Sequence, residues 1–341
     1  MKTDEFPVGC EECKKYHPDS QYNTRNMWND LPDLTKDLSC NIEIALSTKC
    51  NQTCMYCNAE VSSLWAKKLG LPQLEPELEW QEAALSSLYQ YIENNLQDRE
   101  VVNYTFMGGE TFIVDNFIDV VERLASIHSK RNQLCTMKFI SNLNLGPKVI
   151  QKFIDVCKKY STVDFSMSAS FENLGERAEA VREGLDFARL EHNFRWLASE
   201  PSVTKIGVSP TINCLSIVDH TDFLGWVLHT ITQYRSINDI GKTWTITQNV
   251  ITEPLAMQPG ILPNQYTEYV DNTISAIDKF SFKEKQVYIN HLKGIRNQIG
   301  QLRDIETLAK AHRWYKRQEQ LHNRDYWKIF PELNDIFVDI N

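Results

Sequence analysis

The sequence predicts an α/β fold built on a parallel sheet, and the alternation of two hydrophobic periods along the chain is what predicts it. Strand-like stretches at 41–47, 101–107, 136–141, 164–170, 204–212 and 244–250 take turns with helical stretches near 79–96, 114–128, 147–159, 176–198 and 219–234. Strands separated by helix-length segments pair in parallel, because each crossover returns the chain to the same end of the sheet. Six βα units in series are therefore expected, with helices outside the sheet. A second observation points the same way: each strand runs into glycine or small polar residues, and ligands in parallel α/β folds collect at the carboxyl ends of the strands.

Taken in order, residues 1–39 read as an irregular extension, with Pro7, Pro18 and Pro32 among scattered Asp and Asn and a pair of cysteines at Cys10 and Cys13. The first strand places Ile42, Ile44 and Leu46 on one face. The second, Val101 to Met107, runs into Gly108-Gly109-Glu110, where two glycines permit close backbone approach and the carboxylate can accept from an ammonium group. The third ends at Ser141-Asn142, which alone reads as a turn. Pro147 after Gly146 marks the first turn of the next helix. On the fourth strand Ser166, Ser168 and Ser170 alternate with Phe165, Met167 and Ala169, so the hydroxyls line one side. Thr211 and Asn213 are expected to share a face of the fifth strand. After residue 283 the chain reads as a pair of packed amphipathic helices.

Hydrophobic residues make up 42% of the 341-residue chain and charged residues 24%, ordinary for a globular protein with a sizeable core. There is no apolar run of transmembrane length, and the polar opening MKTDEFPVGCEECKK resembles no signal peptide. No membrane partner and a cytoplasmic location are expected. A net charge of −9 argues against extended nucleic-acid binding. Nine cysteines in a reducing compartment point to metal binding or reactivity more than to disulfides.

The most informative segment is Cys50-Asn-Gln-Thr-Cys54-Met-Tyr-Cys57. Three closely spaced thiolates suit three irons of a cubic [4Fe–4S] cluster and leave the fourth iron open to a small molecule. A structural zinc site would want a fourth Cys or His nearby, whereas the next candidates are His128 and Cys135. The C-x3-C-x2-C spacing after a strand, the aromatic Tyr56 and the Gly-Gly-Glu some fifty residues on together resemble the radical S-adenosylmethionine (radical SAM) superfamily. Ser62-Ser63-Leu64-Trp65, the segment ITEPLAMQPGILP with Pro254, Leu262 and Pro263, and FPELNDIF (Phe330 to Phe337) are similar to the twitch/SPASM-related radical SAM proteins of bacteria and phages.

That resemblance implies a partial (β/α)6 TIM-type barrel over 40–255, followed by a mostly helical segment over 256–341. It implies that Cys50, Cys54 and Cys57 hold the [4Fe–4S] cluster as the catalytic centre. S-adenosylmethionine would lie against Tyr56, Gly108, Gly109, Glu110, Ser141, Asn142, Ser168, Arg182 and Asn213. Glu110 would take the methionyl amino group, with Thr111 standing where the family usually has Pro. Arg182, Gly184 and Asn193 match an Arg, Gly and Asn pattern of relatives; Arg182 reads either as a partner for the S-adenosylmethionine carboxylate or as a surface ion pair. Reductive cleavage to a 5′-deoxyadenosyl radical, followed by hydrogen abstraction from a substrate, is the implied reaction.

Cys10-Glu-Glu-Cys13 supplies half a metal site, with Cys40 or His17 as further candidates. An auxiliary Fe–S site there stands beside a vestigial or zinc-binding pair. Cys135, Cys157 and Cys214 sit in apolar patterns and read as core residues. The family implies an electron donor such as flavodoxin or ferredoxin. The substrate reads as a peptide or protein side chain, with a nucleobase or nucleotide as the alternative; a non-catalytic Fe–S or zinc-binding interaction protein is a third reading.

Overall fold

A computed structural model describes residues 39–73, 78–236, 243–247, 249–280 and 285–338, together with Asp239 and Ile340. Cys10, Cys13 and His17, the residues of the auxiliary-site reading other than Cys40, lie outside the described residues.

Six strands form one parallel sheet: β1 (Ser39–Ala45), β2 (Val101–Met107), β3 (Leu134–Ser141), β4 (Val163–Ala169), β5 (Lys205–Val208) and β6 (Trp244–Ile246). They lie side by side in chain order, and β1 and β6 form the two edges. The crossovers carry α1 (Ser63–Lys68), α2 (Leu78–Asn95), α3 (Phe117–Arg131), α4 (Pro147–Lys159), α5 (Gly175–Val181), α6 (Phe187–Ser199) and α7 (His220–Thr232). The chain closes with α8 (Thr267–Asp278), α9 (Lys285–Gln298), α10 (Ile305–His322), α11 (Tyr326–Ile329) and α12 (Glu332–Ile336). The expected pair of late helices is thus two long helices followed by two short ones.

Register explains the core. Ile42, Tyr104, Met137 and Phe165 stand opposite one another across four strands, as do Ile44, Phe106, Phe139 and Met167. Parallel neighbours in register point to the same face, so these rows form one apolar layer. Helices cover it: Phe106 and Phe139 stack at 4.9 Å, and Phe117 and Phe153 meet them edge-on. The opposite face is polar, with Asn41 beside Asn103 and Lys138 beside Ser166. Cys135, Cys157 and Cys214 are buried in the core, as their apolar settings indicate.

Three elements differ from the expected ones. The helix anticipated over 176–198 is broken into α5 and α6, because Arg182–Glu183 pairs antiparallel with Thr53–Cys54 and Gly184 turns at φ +95°. Asp186 then caps α6 by accepting from the Arg189 amide. The fifth strand ends at Val208 because Pro210, lacking an N–H, interrupts the ladder. Thr211–Ile212 instead pairs with Asn249–Val250 in a separate two-residue ladder, which also shortens the sixth strand.

Candidate functional site

The cysteine loop begins where β1 ends, and three sets of backbone contacts hold it there. Met55 donates its amide to Val181 at 2.8 Å, fixing the loop against the end of α5. Ser62 caps α1 by accepting from the Trp65 amide, and the Trp65 indole donates to the Cys54 carbonyl at 2.9 Å. The family-like Ser-Ser-Leu-Trp segment therefore works as a brace for the middle cysteine. From the next strand, Gly109 and Glu110 donate their amides to Ser47 and Lys49 at 3.2 and 2.7 Å.

This approach requires glycine. A Cβ on Gly109 would stand 2.1 Å from the Lys49 carbonyl oxygen, and Gly108 sits at φ +129° with its own Cβ position 2.8 Å from the Ser47 oxygen. Gly-Gly-Glu is thus the sequence that lets the end of β2 press on the segment, Ser47 to Lys49, that leads into the cysteines.

Glu110 is buried, and it accepts from the Asn142 amide at 2.7 Å and the Ser141 hydroxyl at 2.9 Å. Burial pushes its carboxyl up to about 7, against the pull of these donors. The Asn142 side chain donates to Asn51 Oδ1 at 2.8 Å, and Asn51 donates in turn to the Asn144 carbonyl at 2.9 Å. Asn144 reaches the Gly184 carbonyl at 2.7 Å, while Asn193 donates to the carbonyls of Leu143 and Leu145. One hydrogen-bond network therefore joins Glu110, Ser141 and Asn142 to the cysteine loop through Asn51. Gly184 and Asn193, matched to the family pattern, are its backbone and side-chain supports. Neither Asn51 nor Asn144 belongs to a motif of its own; only proximity to Cys50 and to Ser141-Asn142 in sequence hints at them.

Arg182 forms an ion pair, but a buried one and not the surface pair that was one of the two readings of it. Its side chain is buried and donates through Nε and Nη2 to Glu172, with 2.7 Å from Nη2 to the carboxylate. The Tyr56 hydroxyl donates to the same carboxylate at 3.1 Å, and the guanidinium lies over the Tyr56 ring. Nη1 points to Cys54 Sγ at 3.8 Å. Burial opposes the charge on Arg182, but the Glu172 carboxylate outweighs it and keeps the guanidinium charged. Glu172 has no sequence signal: it becomes important only because the chain turns Arg182 inward beside it.

The remaining expected residues divide. Ser168 is buried on the polar face of the sheet, and its hydroxyl has no hydrogen-bond partner among the described residues. Asn213 lies beyond the strand, in a turn of its own: it donates to the Thr211 carbonyl and accepts from the Leu215 amide. Its side chain is used in shaping that turn, so it does not join Thr211 on a strand face.

The three cysteines are free thiols. Burial pushes Cys50 up to about 11 and Cys54 up to about 12, the latter against the pull of Arg182, and it raises Cys57 as well. Among the described residues no group of three or more His, Cys, Asp or Glu side chains is already gathered for a metal, although the three thiols are near enough for Cys50 and Cys57 each to raise Cys54. The donor set fits an Fe–S cluster in chemistry: the loop offers three thiols and neither His nor carboxylate. A cleft of about 310 Å³ opens beside Cys57, between Trp65 on α1 and Trp314 and Gln318 on α10. Among the described residues no helix is long and apolar enough to cross a membrane. No known family model matches the chain, and no curated protein resembles it significantly.

Proposed function

We propose that this chain is a radical SAM enzyme: Cys50, Cys54 and Cys57 hold a [4Fe–4S] cluster, and S-adenosylmethionine binds beside it at the carboxyl ends of the strands. The observation that carries the reading is the single network from Glu110 through Ser141 and Asn142 to Asn51 inside the cysteine loop. Residues that the family motifs assign to one ligand, and that are far apart in sequence, are hydrogen-bonded to one another and to the loop.

The architecture supports it further. Crossovers between parallel strands of one sheet follow a right-handed rule, and for strands laid down in chain order that rule sets the crossover helices on one face. A sheet of that kind curls around its other face, which here is the polar one. We read it as a partial (β/α)6 barrel whose edges, β1 and β6, do not meet.

When bound, the cluster and S-adenosylmethionine supply reductive cleavage of the sulfonium and a radical able to take a hydrogen atom. The protein's own contribution is placement. Glu110, rising to about 7 when buried and unpaired with a cation, is suited to receive an ammonium group and give up its proton on doing so. Gly108 and Gly109 allow the backbone to approach closely, and the Ser168 hydroxyl, without a partner among the described residues, lies on the polar side where a ribose or carboxylate oxygen could accept from it. Trp65 and the buried Asn network exclude water from one side of the cysteine loop. The proposed substrate is a peptide or protein side chain, in keeping with the twitch/SPASM-like segments and the net charge of −9. A flavodoxin or ferredoxin is the proposed electron donor.

Anaerobic reconstitution tests the assignment. The wild type should take up four irons and four sulfides per chain and give the spectrum of a reduced [4Fe–4S] centre, as the cluster formula requires. Cys54→Ala should lose most of both. Zinc bound in preference to iron by the wild type would overturn the proposal.

A further inference from the structure

Three of the five guanidinium donors of Arg182 have no role in an ion pair that needs only two. Nε and Nη2 form a fork on the Glu172 carboxylate, which accounts for the pair. Nη1 is left over, and it is aimed at sulfur: Cys54 Sγ lies 3.8 Å away, within range for an N–H···S hydrogen bond. The whole arrangement is fixed. Arg182 and Glu172 are both buried, Tyr56 donates to the same carboxylate, and Arg182–Glu183 is strand-paired with Thr53–Cys54, so the arginine cannot drift from the cysteine.

Such a buried pair is costly to build. Desolvating both charges offsets most of their attraction, and apolar residues of the same volume commonly do as well for stability. Stability alone therefore does not account for a charged pair at this place, whereas a charge-assisted donor to a metal-ligating sulfur does. The exposed face of the protein offers many sites for an ion pair; this one is set against the middle cysteine of the triplet.

We infer that Arg182, held by Glu172 and Tyr56, is a positioning residue that hydrogen-bonds the Cys54 thiolate and raises the reduction potential of the cluster bound there. The inference rests on the proposed function, which supplies the cluster. Reduction adds one electron to the cluster and so increases the negative charge on its sulfurs. A cationic N–H donor at one sulfur stabilises the reduced form more than the oxidised one, and the potential rises. Tyr56, the aromatic before the last cysteine, then has a structural task beyond any contact with a nucleotide: its hydroxyl holds Glu172, and Glu172 holds the arginine.

The test begins with wild-type protein grown on arginine labelled with 15N in the guanidinium group only. After cluster reconstitution and reduction, pulsed electron paramagnetic resonance should detect a weakly coupled 15N nucleus. Redox titration then compares the wild type with Arg182→Lys and with the double variant Arg182→Met/Glu172→Gln, which removes both charges together. Both variants should load iron, lose the 15N coupling and titrate at a more negative potential, with the larger shift in the double variant. A loaded wild type with no 15N coupling overturns the inference even if neither variant folds. Unchanged potentials in loaded variants overturn it too, and in both cases the radical SAM reading stands. Failure of the wild type to bind iron under any reconstitution overturns both.

Discussion

Asn142 donates its side-chain amide to Asn51 Oδ1 at 2.8 Å, bridging the end of the third strand and the loop between the first two cysteines. The bond matters because 91 residues separate the partners and each has a second commitment: Asn51 donates onward to Asn144, and the Asn142 backbone donates to Glu110. The loop that carries the cysteines is therefore held in place by the same residues that hold the buried carboxylate.

Asn51→Ala should expose that dependence. The substitution leaves the Asn142 amide and the Asn144 carbonyl without their partners, at a cost of about 1–3 kcal/mol. Urea unfolding should show the loss, and the variant should bind iron less completely than the wild type on reconstitution. An unchanged midpoint together with full iron uptake would remove Asn51 from the network's essential members.

Gly109→Ala should be far worse than its chemistry suggests. The added methyl would fall 2.1 Å from the Lys49 oxygen and 2.7 Å from the Thr48 oxygen, both backbone atoms that cannot rotate away. Overpacking of this kind costs about 1–3 kcal/mol or more, and it would push the approach to Cys50 out of place. Gly225→Ala, inside α7 with open space around its Cβ position, is the control and should stabilise by about 0.4–1 kcal/mol. Thermal melts of the two variants should move in opposite directions.

Strand existence was legible in the sequence because apolar alternation survives in every strand of the sheet, and the polar row on its other face does not disturb it. Element ends were less so. The stretch AEAVREGLDFARL contains good helix formers on both sides of Gly184, yet pairing of Arg182–Glu183 with Thr53–Cys54 overrides local propensity and breaks the helix. Within the site, Gly108, Gly109 and Glu110 could be read directly, since each is demanded by local geometry. Arg182 could be singled out but not placed, because its partner Glu172 is identified only by the fold. Asn213 closes its own turn and does not share a strand face with Thr211, because Pro210 has already interrupted the strand.

Arg177 joins the sheet domain to the closing helices. It contacts Asp219 at 3.0 Å, binds Glu332 of α12 and donates to the Leu215 carbonyl, and its guanidinium packs on the Phe330 ring. Removing it as Arg177→Ala strands the buried Glu332 carboxylate, for a loss of about 3–5 kcal/mol. Limited proteolysis should then cut first within 305–336, the segment released. Cleavage spread evenly over the chain would contradict this role.

Acid should destabilise the fold through two buried histidines. Burial pushes both His220 and His322 down to about 4, with Lys68 and Arg324 adding to the effect at His322. Unfolded, each titrates near 6.5, so between 6.5 and 4 the unfolded chain binds the proton and the native one does not. Stability is then full above 6.5 and falls as the pH drops towards 4, by up to about 1.4 kcal/mol per pH unit for each histidine. Unfolding midpoints at pH 7.5 and 5 should differ less in the His220→Gln/His322→Gln variant than in the wild type. An equal difference would mean that other groups govern the acid limb.

If the cysteine loop and the Glu110 network serve one ligand, both should be needed for the same reaction. The most direct measurement is mass spectrometry of 5′-deoxyadenosine formed by reconstituted protein given S-adenosylmethionine and dithionite, for the wild type, Cys54→Ala and Glu110→Ala. The wild type should form product, Cys54→Ala none, and Glu110→Ala should carry a normally coloured cluster and form product only at raised S-adenosylmethionine concentration. A fully loaded wild type that forms no 5′-deoxyadenosine, or a Glu110→Ala protein that binds and cleaves S-adenosylmethionine as well as the wild type, would contradict it.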